Sequence, residues 1–319
     1  MNIRNFQSIS EYLQSAPIAQ SFLAYCYRDL PKQEGEKKSY ENTYRFMYYL
    51  EHSQTYYDQA RQAPLMIQPV LYFYGMGQLL KAYLLTECPD YPENSSVLAH
   101  GVSTRKRKKQ QYSFLEDEVK IQQKGLFPSV AKHLFHVEQF PMEKLPMHDL
   151  LNRIPEMEPL FQLSKGKNNT YFLGKVTATE WSIPNTILDD YNWTLSYFEK
   201  GMKRASSLIQ RIEENSNHIR IYLNKPLDDL NHPFFYYDHH NEGYAIPQNR
   251  QLFHPFPEIL CHYLMLYNLS MICRYETEWW GEQLHSFSSE DIIFIKSFLR
   301  ITEQKIPLLI AHGFHQKRT

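Results

Sequence analysis

Residues 65 to 85 are apolar on nearly every side, a pattern that predicts a fully buried helix at the centre of the fold. Pro64 stands just before it, where a missing N–H donor costs little, and Cys88-Pro89 with Pro92 ends it. Upstream, Tyr44, Met47, Tyr48 and Glu51 recur at i, i+3, i+4 and i+7, which predicts a helix from Tyr40 to about Ala60. Ser8 and Glu11 have capping-box spacing and open a short helix. A second helix is predicted from about Ile18 to Tyr27, with Lys32 to Lys38 as a polar loop. Asp117 to Lys124 reads as one or two helical turns stopped by Gly125. Tyr191, Leu195, Phe198, Met202, Ala205, Ile209 and Ile212 alternate spacings of four and three. That is an apolar seam of period 3.5, predicting one amphipathic helix from Tyr191 to Glu214. The seam either faces a helical core or joins two copies of the chain as a homodimer. Glu258 to Trp280 and Ile292 to Thr302 are the closing helices, the second opened by Ser288 and Asp291 at capping-box spacing.

The middle of the chain breaks this pattern. Pro141, Pro146, Pro155, Pro159 and Pro184 interrupt it, and Thr170–Leu173 and Lys175–Thr179 alternate as short strands do. His218–Leu223 and Tyr244–Ile246 also read as strands. The fold expected is mainly α. A helical bundle-like core (about 1–127 and 186–319) carries a small mixed α/β insertion (about 128–185), all within a single domain of 1–319.

Composition changes this picture little. The chain is 43% hydrophobic and 22% charged, enough apolar material for a large core. Its 24 Tyr and 19 Phe are many beside 11 Gly, and tyrosines suit core edges and pocket walls. Cys26, Cys88, Cys261 and Cys273 form no CxxC pair, which reads as reduced cysteine in a cytoplasmic protein. No apolar signal segment opens the chain, and Gln68, Pro69, Gln78 and Lys81 interrupt the most apolar stretch, so no membrane partner is expected.

The formal net charge of −1 excludes a binder that is basic over its whole surface, so any contact with nucleic acid must be local. One segment supplies that locality. Five consecutive cations, Arg105 to Lys109, follow His100-Gly101 and the hydroxyls of Ser103 and Thr104, and Glu116-Asp117-Glu118 follows them. Arginine matches phosphate oxygens with a planar fork, lysine adds point charges, and hydroxyls donate hydrogen bonds. Gly101 lets backbone amides approach an anion. His100, Ser103, Thr104, Arg105, Arg107 and Lys109 are therefore the candidate phosphate-binding residues, with RNA or a nucleotide as partner. The alternative is a solvated loop that pairs with the nearby acids or docks an acidic protein. For His100 the rival role is a neutral cap on the preceding turn.

Other chemistry is thinner. His232, Asp238, His239, His240 and Glu242 are ligand types, but their spacing matches no zinc pattern, and neither metal nor cofactor is expected. There is no Walker A, GxGxxG or GxSxG sequence, and Gly75-Met76-Gly77 fits close helix packing better than a nucleotide loop.

Several pieces resemble the YaaC-like proteins of bacteria. They are Pro69–Met76 with Leu80-Lys81-Ala82, Tyr91-Pro92, His100–Lys109 and Asp117–Gln122, then Pro257–His262, Arg274–Trp280 and Lys305–Pro307. The likeness runs nearly end to end and is thinnest over about 130 to 185. It implies a cytoplasmic protein and brings no reaction with it. A second likeness, to HEPN-type helical domains, rests on Leu79–Leu84 with His100-Gly101. It implies a metal-independent ribonuclease that uses an Arg and a His with four to six residues between them. Arg45 with His52 and Arg211 with His218 have six residues between them, but chance alone supplies roughly two such pairs in a chain of this composition.

Overall fold

The computed structural model describes residues 9–105, 112–140, 142–286 and 289–317. Cα packing divides the chain into two units, Met1–Met147 with His262–Thr319, and His148–Cys261.

In the first unit, helix α1 (Ala16–Cys26) packs on α2 (Lys32–Gln62), which forms a hairpin with α3 (Gln68–Leu85). The polar Lys32–Lys38 stretch is the first two turns of α2, not a loop. Its charges sit at helical spacing, Lys32 with Glu36 and Lys37 with Glu41, so a polar sequence still supports a helix. Helix α3 buries Tyr72, Phe73, Met76, Leu79, Leu80 and Leu84, as its apolar surround predicts. Gly75 keeps the hairpin close, since a Cβ there would lie 2.8 Å from the Tyr57 ring. The long C-terminal helix Asp291–Gln316 covers α3, and Phe314 closes a cluster with Phe22, Phe46 and Tyr83 at ring-centre distances of 5.5 to 6.0 Å. Strands β1 (Val102–Thr104), β2 (Glu118–Ile121) and β3 (Lys144–Pro146) form an antiparallel sheet in that order.

The second unit centres on a six-stranded antiparallel sheet in the order β6-β7-β5-β4-β9-β8. Its strands are β4 (Thr170–Lys175), β5 (Glu180–Pro184), β6 (Ile209–Glu214), β7 (His218–Leu223), β8 (Tyr236–Asp238) and β9 (Gly243–Pro247).

The helical-bundle expectation is thus corrected. The chain is 56% helical and 14% strand, with two antiparallel sheets, so β structure is a substantial part of the fold. Two misread segments account for much of the difference. The predicted Tyr191–Glu214 helix is two helices, Thr186–Tyr191 and Leu195–Ala205, followed by β6. Ser206 is extended and ends the second helix. Ile209 and Ile212 then point inward from a strand because the register shifts between Ile209 and Arg211. A β-bulge adds one residue, so a spacing of three keeps two side chains on one face and imitates a helical repeat. Tyr191, Phe198 and Met202 are buried within their own unit, so no continuous helix face of period 3.5 remains. The other misread segment, Asp117–Lys124, holds strand β2 (Glu118–Ile121) and no helical turn.

Candidate functional site

The sheet of the first unit is pinned at its start by two close turns of backbone. Gly101 has φ +77° and Gly125 φ +130°. The Ala99 carbonyl accepts from Leu126 N at 2.7 Å, and the Gly101 carbonyl accepts from Gln122 N at 2.9 Å. The His100 carbonyl accepts from Phe127 N at 3.2 Å and from the Tyr263 hydroxyl at 3.0 Å. Gly101 therefore faces Gly125 and Pro128 rather than an open anion cradle.

From that anchor β1 enters the sheet with Ser103 opposite Lys120 and Thr104 opposite Val119. On the next strand Lys120 faces Lys144 and Val119 faces Leu145. Directly opposed residues share a face. Val119 and Leu145 are buried, so their row, which includes Thr104, is the core side. Ser103, Lys120 and Lys144 form the row on the other side, and Arg105 continues from the end of β1.

These residues line a cleft of about 530 Å³ together with Tyr112, Ser113, Glu116, Asp117 and Glu118. Two lysines directly opposed repel each other unless each has a counter-charge. Lys144 Nζ lies 3.4 Å from Glu118 Oε2, and Lys120 Nζ lies 3.2 Å from Glu143 Oε2. Both pairs are solvent-exposed, and such pairs are weak. Arg105 is exposed and makes no ion pair among the described residues. Ser103 Oγ accepts from Gln122 Nε2 at 2.6 Å. The Thr104 hydroxyl points at Asn268 Oδ1, 3.2 Å away, and at the Glu118 carbonyl, 3.3 Å away.

The back of the cleft is more rigid. Asp117 Oδ2 accepts from the Tyr112 hydroxyl at 2.8 Å and from Asn268 Nδ2 at 2.9 Å. The Tyr112 ring meets Trp279 edge-on with centres 4.8 Å apart. Burial, then the charge of Asp117, pushes the Tyr112 hydroxyl far above its ordinary range, so it stays a donor. Asp291 is 3% exposed and takes Phe114 N at 2.8 Å, Leu115 N at 3.4 Å and Ser113 Oγ at 3.3 Å. Burial pushes its carboxyl up, while those three bonds pull it back.

Of the six residues singled out in the sequence, Ser103, Thr104 and Arg105 meet in this cleft. Arg107 and Lys109 lie outside the described residues. His100 does not line the cleft. Its ring sits 4.9 Å from Phe73, 5.8 Å from Tyr267 and 6.3 Å from Tyr74. Burial, then the charges of Arg274 and Lys81, holds its imidazole below the usual histidine range. The folded protein then binds protons at His100 less well than the unfolded chain does. The stability this gives is complete above about pH 6.5 and drains as pH falls through the lower folded value. His100→Phe, which cannot titrate, should lose less melting temperature than the wild type between about pH 7 and 5. Equal losses would show that His100 does not titrate in this way.

Lys120, Lys144, Tyr112 and Asn268 are additions that the sequence did not single out. The signal for Lys120 was the alternation Glu118-Val119-Lys120-Ile121, hidden by reading the segment as helix. Arg274 and Glu278 stand four apart in the sequence but not on one helix. The helix breaks between Tyr275 and Thr277, and Arg274 Nε donates to the Ser270 carbonyl at 3.0 Å.

In the second unit the His232–Glu242 side chains turn to separate tasks. His232 Nδ1 accepts from Phe234 N and Phe235 N, and its Nε2 lies 3.0 Å from Ser206 Oγ. Burial holds its imidazole down at about 4. Asp238 caps the turn by accepting from His240 N and Asn241 N, and His239 pairs with Glu156. Arg211 and His218 lie on the two strands of the β6–β7 hairpin, where Arg211 pairs with Glu213 at 2.9 Å and covers the Tyr222 ring. Arg45 and His52 lie seven residues apart on α2.

Fold and cleft together define an α/β protein with a polar, cation-bearing cleft on a three-stranded sheet. A family model described as YaaC-like Protein matches residues 11–314, and the chain belongs to that family. No curated protein and no solved structure matches it. Among the described residues no helix is long and apolar enough to cross a membrane.

Proposed function

We propose that this protein binds a phosphate-bearing ligand, RNA or a nucleotide, at the sheet cleft and does so in the cytoplasm. Arg105, Lys120 and Lys144 supply the charge, and Ser103 offers a hydroxyl. The observation that carries this reading is the in-register row Ser103–Lys120–Lys144 ending beside Arg105. Its two lysines repel each other, and each is countered only by an exposed carboxylate that a phosphate can replace. The remaining cations of the 105–109 run follow Arg105 directly in the sequence.

About three phosphate contacts on a single strand give a salt slope near −2, which is roughly a 15- to 20-fold loss of affinity between about 50 and 200 mM salt. That loss is expected for a labelled single-stranded RNA oligonucleotide titrated into the full chain. Replacing Arg105 and Lys144 with Ala should weaken binding about tenfold at the lower salt and flatten the slope. Wild-type affinity in that variant overturns the reading. Cleavage of the RNA in EDTA would move it to a metal-independent ribonuclease. Capture of a defined acidic protein, with neither RNA nor nucleotide bound, would move it to an interaction module.

A further inference from the structure

The second unit holds a cleft of a different electrical character. Its volume is about 560 Å³, within the size range of small-molecule sites. The helix Leu195–Ala205 forms one wall. Phe198 and Met202 face the core, Ala205 borders the cleft, and Tyr197, Lys200, Gly201 and Arg204 share the neighbouring face at i, i+3, i+4 and i+7. Arg250 adds a third cation, placed by the bond from its NH1 to the Tyr191 carbonyl at 3.1 Å. No lining side chain is a carboxylate. The neighbouring Glu199 is taken by Lys203 at 2.8 Å, and neither Lys200 nor Arg204 has an ion pair among the described residues. Three cations around one cleft repel one another, so the site favours an anion.

The other walls are aromatic. Trp193 packs edge-on against Tyr197 and against Phe253, each at 4.9 Å between ring centres. Gly201 makes room for them: a Cβ there would lie 3.0 Å from the Phe253 ring and 3.4 Å from the Trp193 ring. Tyr197 is 57% exposed, so a flat surface is left uncovered beside the cations. Cations that follow a phosphate and aromatic faces that stack a base are the two parts of a nucleotide-binding groove.

We propose that this cleft binds a nucleotide unit, with phosphate at Lys200, Arg204 and Arg250 and the base against Tyr197 and Trp193. The proposal stands without the reading of the sheet cleft, because no residue is shared. A free nucleotide and a nucleotide within a single strand present the same chemistry.

The test is calorimetric titration of the full chain with adenosine diphosphate, uridine diphosphate and a single-stranded tetra-adenylate. At least one probe is expected to bind. Measured in a background of Arg105→Ala with Lys144→Ala, which removes any contribution of the sheet cleft, its affinity should fall tenfold or more when Arg204→Glu and Arg250→Ala are added and severalfold when Tyr197→Ala is added. Should loss of the Arg250 bond lower the melting point, Arg204→Glu alone decides, since that side chain is exposed. Binding of a diphosphate marks a free nucleotide as the ligand, and binding of tetra-adenylate alone marks a strand. The proposal is overturned if no probe binds at millimolar concentration. It is overturned equally if adding Arg204→Glu leaves the affinity as it is in that background.

Discussion

Gly125→Ala is expected to cost the first unit more than about 3 kcal/mol. Two effects add. Gly125 has φ +130° and ψ −176°, a region open essentially to glycine alone. A Cβ there would also lie 2.4 Å from the Gly101 Cα and N, and 2.7 Å from the Ala99 carbonyl oxygen. Those neighbours are backbone, fixed by the bonds from Leu126 N to Ala99 O and from Gln122 N to Gly101 O. No side chain can swing aside, so β1 itself must move, and with it Ser103 and Arg105. In thermal unfolding the variant should melt about 10 °C lower or fail to fold. Gly77→Ala is the control. It lies in helix α3 with nothing within 4 Å of the added methyl, so it should hold or raise stability by about 0.5 to 1 kcal/mol. Equal melting of the two variants would refute the close approach of Gly101 and Gly125.

Arg153→Met should destabilise the second unit by about 1 to 3 kcal/mol. Arg153 is 2% exposed and lies over the Phe256 ring, 5.3 Å from its centre. Its NH1 donates to the Tyr236 hydroxyl, and its NH2 donates to His254 Nε2 at 2.9 Å. Methionine keeps much of the volume and removes the fork, so packing changes little and the polar loss dominates. His254 Nε2 is then left without its donor in a place where burial, then the Arg153 charge, already hold the imidazole at about 4. Removing that charge should raise the His254 value toward the ordinary range, visible as a shift of its ring proton titration by NMR. A variant that melts within a degree or two of the wild type would show that the arginine is dispensable.

The helical part of this fold is legible in the chain because its periods are unbroken. Residues 65 to 85 look buried from all sides, and α3 buries most of its length, with a half-buried stripe along Val70, Leu71, Tyr74, Gly77, Gln78 and Lys81. The antiparallel sheets are much less legible. Strands β1, β2 and β3 are three or four residues each and are brought together by pairing across sequence, which no local window contains. The β6 strand is disguised further, because its bulge spaces Ile209 and Ile212 like a helix. The candidate cleft was half visible. The 105–109 run drew attention to Ser103, Thr104 and Arg105, but Lys144 lies 24 residues from Lys120 and joins it only through strand register. His100 stands beside the basic run in the sequence, whereas its ring is held by Phe73 and Tyr267 from distant helices.

The bulge in β6 has a further consequence for how the chain behaves among its own copies. In the order β6-β7-β5-β4-β9-β8, β6 pairs on one side only. A straight, apolar edge strand is a template on which another chain can add itself. Here the outward positions of β6 are Gln210, Arg211, Glu213 and Glu214, and the extra residue twists the strand where a newcomer would have to start. The same irregularity that hides the strand in the sequence therefore guards the sheet against growing into an aggregate.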